Sequence, residues 1–195
     1  KDYLSQIDEK NLAISIVDTS KGRGSQIKSG VENSTQEWIV IVHADATLPP
    51  SALATISSAI QENPSIIGGS LGQRFNSSSA GLLLIEAMNE FRVTLMSTSF
   101  GDQNQFFHRQ TAVNHDVLTE QPLMEDVEMS DRLNKLGDAI YLATEGSVSA
   151  KKWNTSHFTR RFFTIIEFCL KYRLLFYSKE KRIALSQKLY DRYYS

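Results

Sequence analysis

The order of apolar and polar positions divides the chain into short apolar runs and longer amphipathic stretches. Leu12-Ala13-Ile14-Ser15-Ile16-Val17 is short, apolar and β-branched, which predicts a buried strand. It stops at Asp18-Thr19-Ser20, and beyond Lys21-Gly22-Arg23-Gly24 the span from Ser25 to Asn33 predicts a helix with Ile27 and Val31 on one face. Trp38-Ile39-Val40-Ile41-Val42 is an unbroken apolar run of the kind buried in parallel sheets. It ends at His43-Ala44-Asp45-Ala46-Thr47, and Pro49-Pro50 opens a helix from Ser51 to Glu62. Ile66 to Leu71 reads as a further strand, and Gly81 to Met96 as an amphipathic helix. Gly101-Asp102-Gln103-Asn104 is turn chemistry leading into a short strand, Gln105 to His108. Met124 to Leu136 predicts a helix stopped by Gly137, and Ala139 to Ala143 a strand. Two helices follow, His157 to Tyr177 and Glu180 to Tyr194.

Strand, loop, helix in succession is the signature of an α/β protein with a mostly parallel sheet flanked by helices. Ligands of such sheets bind beyond the carboxyl ends of the strands, where Asp18 to Gly24 and His43 to Thr47 both lie. A length of 195 residues fits one domain, read as a core over 12–156 and a helical extension over 157–195. The net charge of −1 argues against a nucleic-acid partner. The single cysteine, Cys169, excludes an intramolecular disulfide and a cysteine-rich zinc site, so a reducing, cytoplasmic setting is expected. Residues 1–10 are polar, giving no sign of a signal peptide, and no apolar run reaches the ~18 residues of a membrane span.

Chemistry concentrates in four places. Asp45 at a strand tip can hold a divalent cation that neutralises a diphosphate, or it can be a solvated loop acid. Glu125-Asp126 sits at a helix start, where acids also simply complement the helix dipole; the chemical alternative is a general base aimed at a hydroxyl. Glu128, two residues on, points elsewhere. Gly22-Arg23-Gly24-Ser25-Gln26 allows close approach by phosphate, and Lys151-Lys152-Trp153 joins two cations to an aromatic that can equally be a packed surface residue.

In sequence order these segments resemble the inverting family-two glycosyltransferases of the GT-A fold. The likeness is greatest to the subgroup associated with radical-SAM and selenoprotein-type neighbours. That subgroup has a GRG-x-Q-x-x-x-G loop before a strand ending L-H-A-D-T-x-L-P. Here Gly22 to Gly30 is followed by Trp38 to Pro49 in the same way. Gly101-Asp102-Gln103-Asn104-Gln105-Phe106-Phe107 matches G-D-Q-x-x-F-F, and Pro122 to Ser130 matches P-L-M-E-D-V-E-L-S. Lys151-Lys152-Trp153 stands where the subgroup has R-R-W. The likeness covers roughly residues 12–160.

The resemblance implies a nucleotide-diphospho-sugar donor, a hydroxyl acceptor and a divalent metal, Mg²⁺ or Mn²⁺. By it, Asp45 contacts metal and diphosphate, and Asp126 is the base, with Glu125 beside it in the catalytic pair. Arg23, Gly24, Gln26, His43, Lys151, Lys152 and Trp153 face the donor, and Gly101, Asp102 and Gln103 form the acceptor-side loop. His43 replaces the first Asp of the usual D-x-D, leaving metal binding mainly to Asp45, and lysines replace the paired arginines. The family normally opens with a strand ending P-x-x-N-E, a helix, and a strand ending D-G-G-S. This sequence opens at what reads as the next strand, so the first β-α-β part is expected to be absent. An open sheet edge then suggests self-association, and an N-terminally truncated, non-catalytic binding or assembly module is the alternative reading. A sugar nucleotidyltransferase ranks third, because the Glu-Asp helix start has no role in it. The basic-aromatic segments at Arg160 to Phe163 and Lys171 to Tyr177 suggest either helices packed on the sheet or peripheral contact with an anionic membrane.

Overall fold

A computed structural model describes residues 14–153, 158–174 and 179–194. In chain order the elements are α1 (Arg23–Glu32), β1 (Trp38–Val40), β2 (Ala46–Thr47), α2 (Ala52–Glu62), β3 (Ile66–Phe75), α3 (Ala80–Met96), β4 (Gln105–His108), α4 (Arg109–Asn114), α5 (Glu125–Leu133), β5 (Asp138–Val148), α6 (Phe158–Leu174) and α7 (Lys179–Tyr194). The strands form one sheet in the order β1-β4-β3-β5-β2. β1 and β3 each pair antiparallel with β4, β3 and β5 pair parallel, and β2 is antiparallel to β5. β1, β3 and β5 therefore run the same way, and their carboxyl ends share one edge. This is a mixed α/β sheet with flanking helices, a GT-A-like fold.

Adjacent strand residues face opposite sides, and β4 shows the consequence. Phe106 packs with Ala52, Ile56, Ile66 and Leu71 under α2, whereas Phe107 packs with Val31, Ala112, Val117, Met129 and Leu133 under α1 and α5. Both rings are fully buried, so four residues of strand anchor the layers on either side.

The C-terminal helices join this core. Phe168 and Tyr172 of α6 and Leu189 of α7 pack on Leu123, Met124 and Val127 at the start of α5. The Ser186 hydroxyl donates to the Leu123 carbonyl at 2.6 Å and accepts from the Leu123 N–H at 3.1 Å. That clamp holds Met124 in the left-handed region, φ 63°, immediately before Glu125 and Asp126. A non-glycine residue there costs about 1–3 kcal/mol, which the surrounding contacts must offset. Among the described residues no helix is long and apolar enough to cross a membrane.

One expected strand is absent. Residues 14–17 form no ladder, and Ile14 and Ile16 are exposed at 42% and 75%. Leu12 and Ala13 lie outside the described residues. A strand needs a partner for its backbone groups, and within the described residues β1 pairs only with β4. Two strands run further than their apolar runs. β3 continues to Phe75 and β5 to Val148, because Gly72 to Phe75 pair with Glu145 to Val148 beyond a register shift. The helix expected from Met124 to Leu136 ends at Leu133, where the Leu136 and Gly137 N–H groups turn back to the Leu133 carbonyl. Of the expected helix ends, His157 and residues 175–177 lie outside the described residues.

Candidate active site

Three chain segments meet at the carboxyl end of β1. The turn after β1 carries His43 and Asp45 and is closed by the Ala46 N–H donating to the His43 carbonyl at 2.9 Å. The Ser149 N–H donates to the Asp45 carbonyl at 3.0 Å, tying this turn to the end of β5. The second segment, Gly101–Gln103, is a single 3-10 turn leading into β4. The third is the first turn of α5, with Glu125, Asp126 and Glu128. Arg23, at the start of α1, lies between them.

Arg23 Nε sits 2.8 Å from Glu125 Oε1, and its guanidinium reaches Asp126 Oδ2 at 3.5 Å. Asp126 Oδ2 also accepts from the Gly101 N–H at 2.8 Å, and Oδ1 from the Val127 N–H at 2.8 Å. The Arg23 and His43 side-chain ends both close on Gly101, where a Cβ would lie 2.7 Å from Arg23 and would meet His43 Nε2. Arg23, His43, Gly101 and Asp126 thus form one contiguous cluster with the Asp45 turn beside it.

Electrostatics bind the same residues together. Burial pushes the Asp102 carboxyl up to about 6, with Asp126 and Asp45 adding to the push and Arg92 and Arg23 opposing it. Asp102 keeps partial exposure as a residue, but its Oδ1 is buried and accepts no hydrogen bond among the described residues. Burial likewise raises Glu125 well above the usual carboxylate range, with Asp126 adding to the shift and Arg23 counteracting it. Carboxylates this crowded favour a bound cation.

The Asp102 shift has a signed consequence. Between its ordinary value of 3.8 and about 6 the folded chain keeps a proton that the unfolded chain has lost. Stability from this group is therefore greatest at low pH and falls as pH rises to about 6, by on the order of 2 kcal/mol. Asp102→Asn is expected to gain stability over the parent at pH 7.5 but hardly at all at pH 4. Urea denaturation at the two pH values reads this, and an equal gap at both would contradict it.

The remaining expected site residues separate into groups. Gly24 is buried, and a Cβ there would lie 2.5 Å from the Gln121 carbonyl oxygen, so close backbone packing requires this glycine. Gln26 is exposed on α1. Gln103 turns inward, its Oε1 accepting from Arg92 at 2.8 Å and from the Phe100 N–H at 3.0 Å. It shapes the Gly101–Gln103 turn from behind. Lys151 and Lys152 lie in a 3-10 turn one residue beyond Ser149, so the Asp45 bond brings this turn to the site; Lys151 is exposed. Trp153 is half-buried edge-on against Phe75, 6.3 Å between ring centres. Among the described residues, no three His, Cys, Asp or Glu side chains converge as a ready-made metal cage. A single carboxylate still fits a metal of the Mg²⁺ kind, which takes one or two carboxylates and draws its other ligands from substrate phosphates and water. The unsatisfied Asp102 Oδ1 and the pooled negative charge are consistent with that.

Sequence reasoning missed Arg92. It stacks over the Phe100 ring, 3.3 Å to the ring centre, and opposes the Asp102 shift. Its signal was present: Glu86, Asn89 and Arg92 recur at helical spacing along α3, with Glu86 and Asn89 buried and Arg92 half-buried. Glu86 accepts from Arg74 and the Phe75 N–H, and Asn89 donates to Gln73.

A search of curated proteins finds no match. The glycosyl transferase family 2 model matches residues 1–124, a span that takes in the Arg23 loop, the His43-Asp45 turn and Gly101-Asp102-Gln103 and ends beside Glu125. With the match covering most of the sequence and the same segments converging in space, the chain belongs to glycosyl transferase family 2.

Proposed function

We propose that this chain transfers a sugar from a nucleotide-diphospho-sugar donor to an acceptor hydroxyl, with inversion at the anomeric carbon. The observation that carries the proposal is the convergence of Asp45, Asp102, Asp126 and Arg23 at the carboxyl edge of the sheet. In this reading Asp126 is the general base. A carboxylate has about four acceptor positions, and two backbone N–H groups leave room for the acceptor's proton. As that proton passes to Asp126, the acceptor oxygen bonds to the anomeric carbon and the bond to the diphosphate oxygen breaks on the opposite face. Glu125 is a positioning residue that holds Arg23 at 2.8 Å, and Arg23 offsets negative charge on the departing diphosphate. Asp45 would hold a divalent ion, Mg²⁺ or Mn²⁺, whose chemistry is to neutralise that diphosphate. His43, Lys151, Lys152 and Trp153 complete the donor side, and Gly101 and Asp102 face the acceptor. The inverting course and the radical-SAM-associated subgroup are parts of the same proposal, as is a cytoplasmic setting. A panel of UDP-, GDP-, ADP-, CDP- and dTDP-sugars with Mg²⁺ or Mn²⁺, read as release of nucleoside diphosphate, tests it. Turnover of one donor supports it, and none from the folded chain speaks against it.

A non-catalytic assembly module is the second reading, and α3 favours it. Glu86 and Asn89 of its polar stripe are buried, while Leu83, Leu84, Phe91 and Leu95 on the outside are 53–68% exposed. A second copy would cover that face. Light scattering giving the monomer mass, together with donor turnover, removes this reading. Peripheral membrane contact through α6 and α7 is a separate proposal resting on exposed Arg160, Phe163, Leu170 and Lys171. Flotation with anionic vesicles tests it, and no recovery disposes of it.

A further inference from the structure

On the sheet face covered by α3 and α5, Ser70 of β3 is in register with Gln105 of β4 on one side and Tyr141 of β5 on the other. Residues in register present their side chains to the same face, so three polar side chains stand in a row. The C-terminal end of α3 and the second half of α5 do not close over that row. They leave a cavity of about 250 Å³. None of its lining residues is charged. Ser70, Tyr141, Thr94, Ser97 and Ser130 surround it with hydroxyls, each able to donate or accept, while Val93, Leu133 and Ala139 supply an apolar side.

Gln105 gives the cavity a direction. Its Nε2 donates to Ser99 Oγ at 2.7 Å, Ser130 Oγ at 3.0 Å and the Asp126 carbonyl at 3.1 Å. The Asp126 carbonyl is shared with the Ser130 hydroxyl, which donates to it at 3.0 Å. Gln105 Oε1 is buried and accepts no hydrogen bond among the described residues, although Gln105 is only 2% exposed. A buried carbonyl oxygen left unmatched costs about 1–3 kcal/mol, so the site calls for a donor.

We propose that this cavity binds a small neutral polyhydroxylated molecule, one sugar ring in size, with a hydroxyl donating to Gln105 Oε1. The volume lies just under the roughly 300–1,000 Å³ of drug-sized pockets, which suits a single ring. The uncharged lining disfavours anions and cations, whose desolvation nothing here would offset. Hydroxyls facing an apolar wall match the alternating O–H and C–H surfaces of a sugar. The site is separate from the Asp45 turn and goes beyond the proposed transfer chemistry. An occupant would touch Gln105 and Ser130, both of which also bond the Asp126 carbonyl.

The test is a titration of the ¹⁵N-labelled full chain with glucose, glycerol and gluconate, followed by NMR. Glucose is expected to give saturable shifts at the Gln105 side-chain amide and at the Ser70 and Tyr141 backbone amides, and gluconate none. Thr94 is exposed at the mouth, so Thr94→Trp is expected to weaken glucose binding about tenfold or more while leaving the rest of the spectrum in place. Absence of saturable shifts up to about 100 mM, meaning that water alone fills the cavity, would overturn the proposal. So would equal binding of gluconate, or binding indifferent to Thr94→Trp. Nucleotide binding is read at other amides, Arg23, Asp45 and Gly101, so failure of either proposal is seen independently of the other.

Discussion

Glu128→Ala is expected to destabilise the chain by about 3–5 kcal/mol, the usual cost of breaking a buried ion pair from one side. The Glu128 carboxylate is 5% exposed and joins three helices. It accepts from Arg132 Nε of its own helix at 2.8 Å, from Tyr172 OH of α6 at 2.7 Å and from Arg182 of α7 at 2.7 Å. Burial alone would raise its pKa, but the bonds from Tyr172, Arg132 and Arg182 outweigh that and hold it below the ordinary value of 4.5. Truncation leaves Tyr172, fully buried, and Arg182 without that acceptor. For a chain of this size the loss corresponds to a melting temperature lower by roughly 10 °C. Glu128→Gln, which keeps an acceptor but loses the charge, should fall between the two. Because the folded pKa is depressed, this contribution is present above pH 4.5 and disappears as pH falls through the folded value, so the gap to the alanine variant should narrow in acid. Urea or thermal denaturation at pH 7 and pH 4 checks both statements. A loss under about 1 kcal/mol at pH 7 would show that α6 and α7 are not locked to α5 in this way.

Asp126→Asn is expected to lower kcat by about two to four orders of magnitude on whichever donor and acceptor prove active. Asparagine can still accept from the Gly101 N–H, so the loop geometry should survive and the melting temperature should change little. What is lost is a group able to take the acceptor's proton. KM for the donor should stay nearly constant, because Arg23 keeps its closer partner, Glu125. Steady-state kinetics of the variant decides the point. A kcat within about threefold of the parent would remove Asp126 as the base and turn attention to Asp102, the neighbouring carboxyl already raised by burial.

How far the molecule was legible depended on whether each cause was local. β1 could be read because an unbroken apolar run bounded by turn residues describes a strand, which the fold ends at Val40 rather than Val42, and β4 because the Gly101–Asn104 turn leads straight into it. The Glu-Asp helix start and the Gly101–Gln103 turn were legible for the same reason. Residues 14–17 look like a strand by composition, but strand formation needs a neighbour, and that information is not within the segment. The extensions of β3 and β5 run through Gly72-Gln73 and Glu145-Gly146, where backbone pairing rather than hydrophobicity carries the ladder. Gly24 reads as a phosphate-loop glycine, yet its close contact is with the Gln121 backbone almost a hundred residues away. Arg182 lies 54 positions from its partner Glu128, so nothing in its own segment marks it, whereas Arg92 also bonds Asn89 three positions away and its helical spacing was readable. The family resemblance brought Asp45 and Asp126 forward, and the fold adds the salt bridge and backbone bond that join Arg23 and Gly101 to Asp126.

Isothermal titration of the full chain with UDP, GDP, ADP, CDP and dTDP, each with and without Mn²⁺, tests the central claim most directly. A working donor site predicts that one of these nucleotides binds, that Mn²⁺ strengthens the binding, and that Asp45→Ala weakens it about tenfold or more while leaving the chain folded. Binding of none of them by folded protein, or binding indifferent to both Mn²⁺ and Asp45→Ala, would contradict a metal-assisted donor site at Asp45.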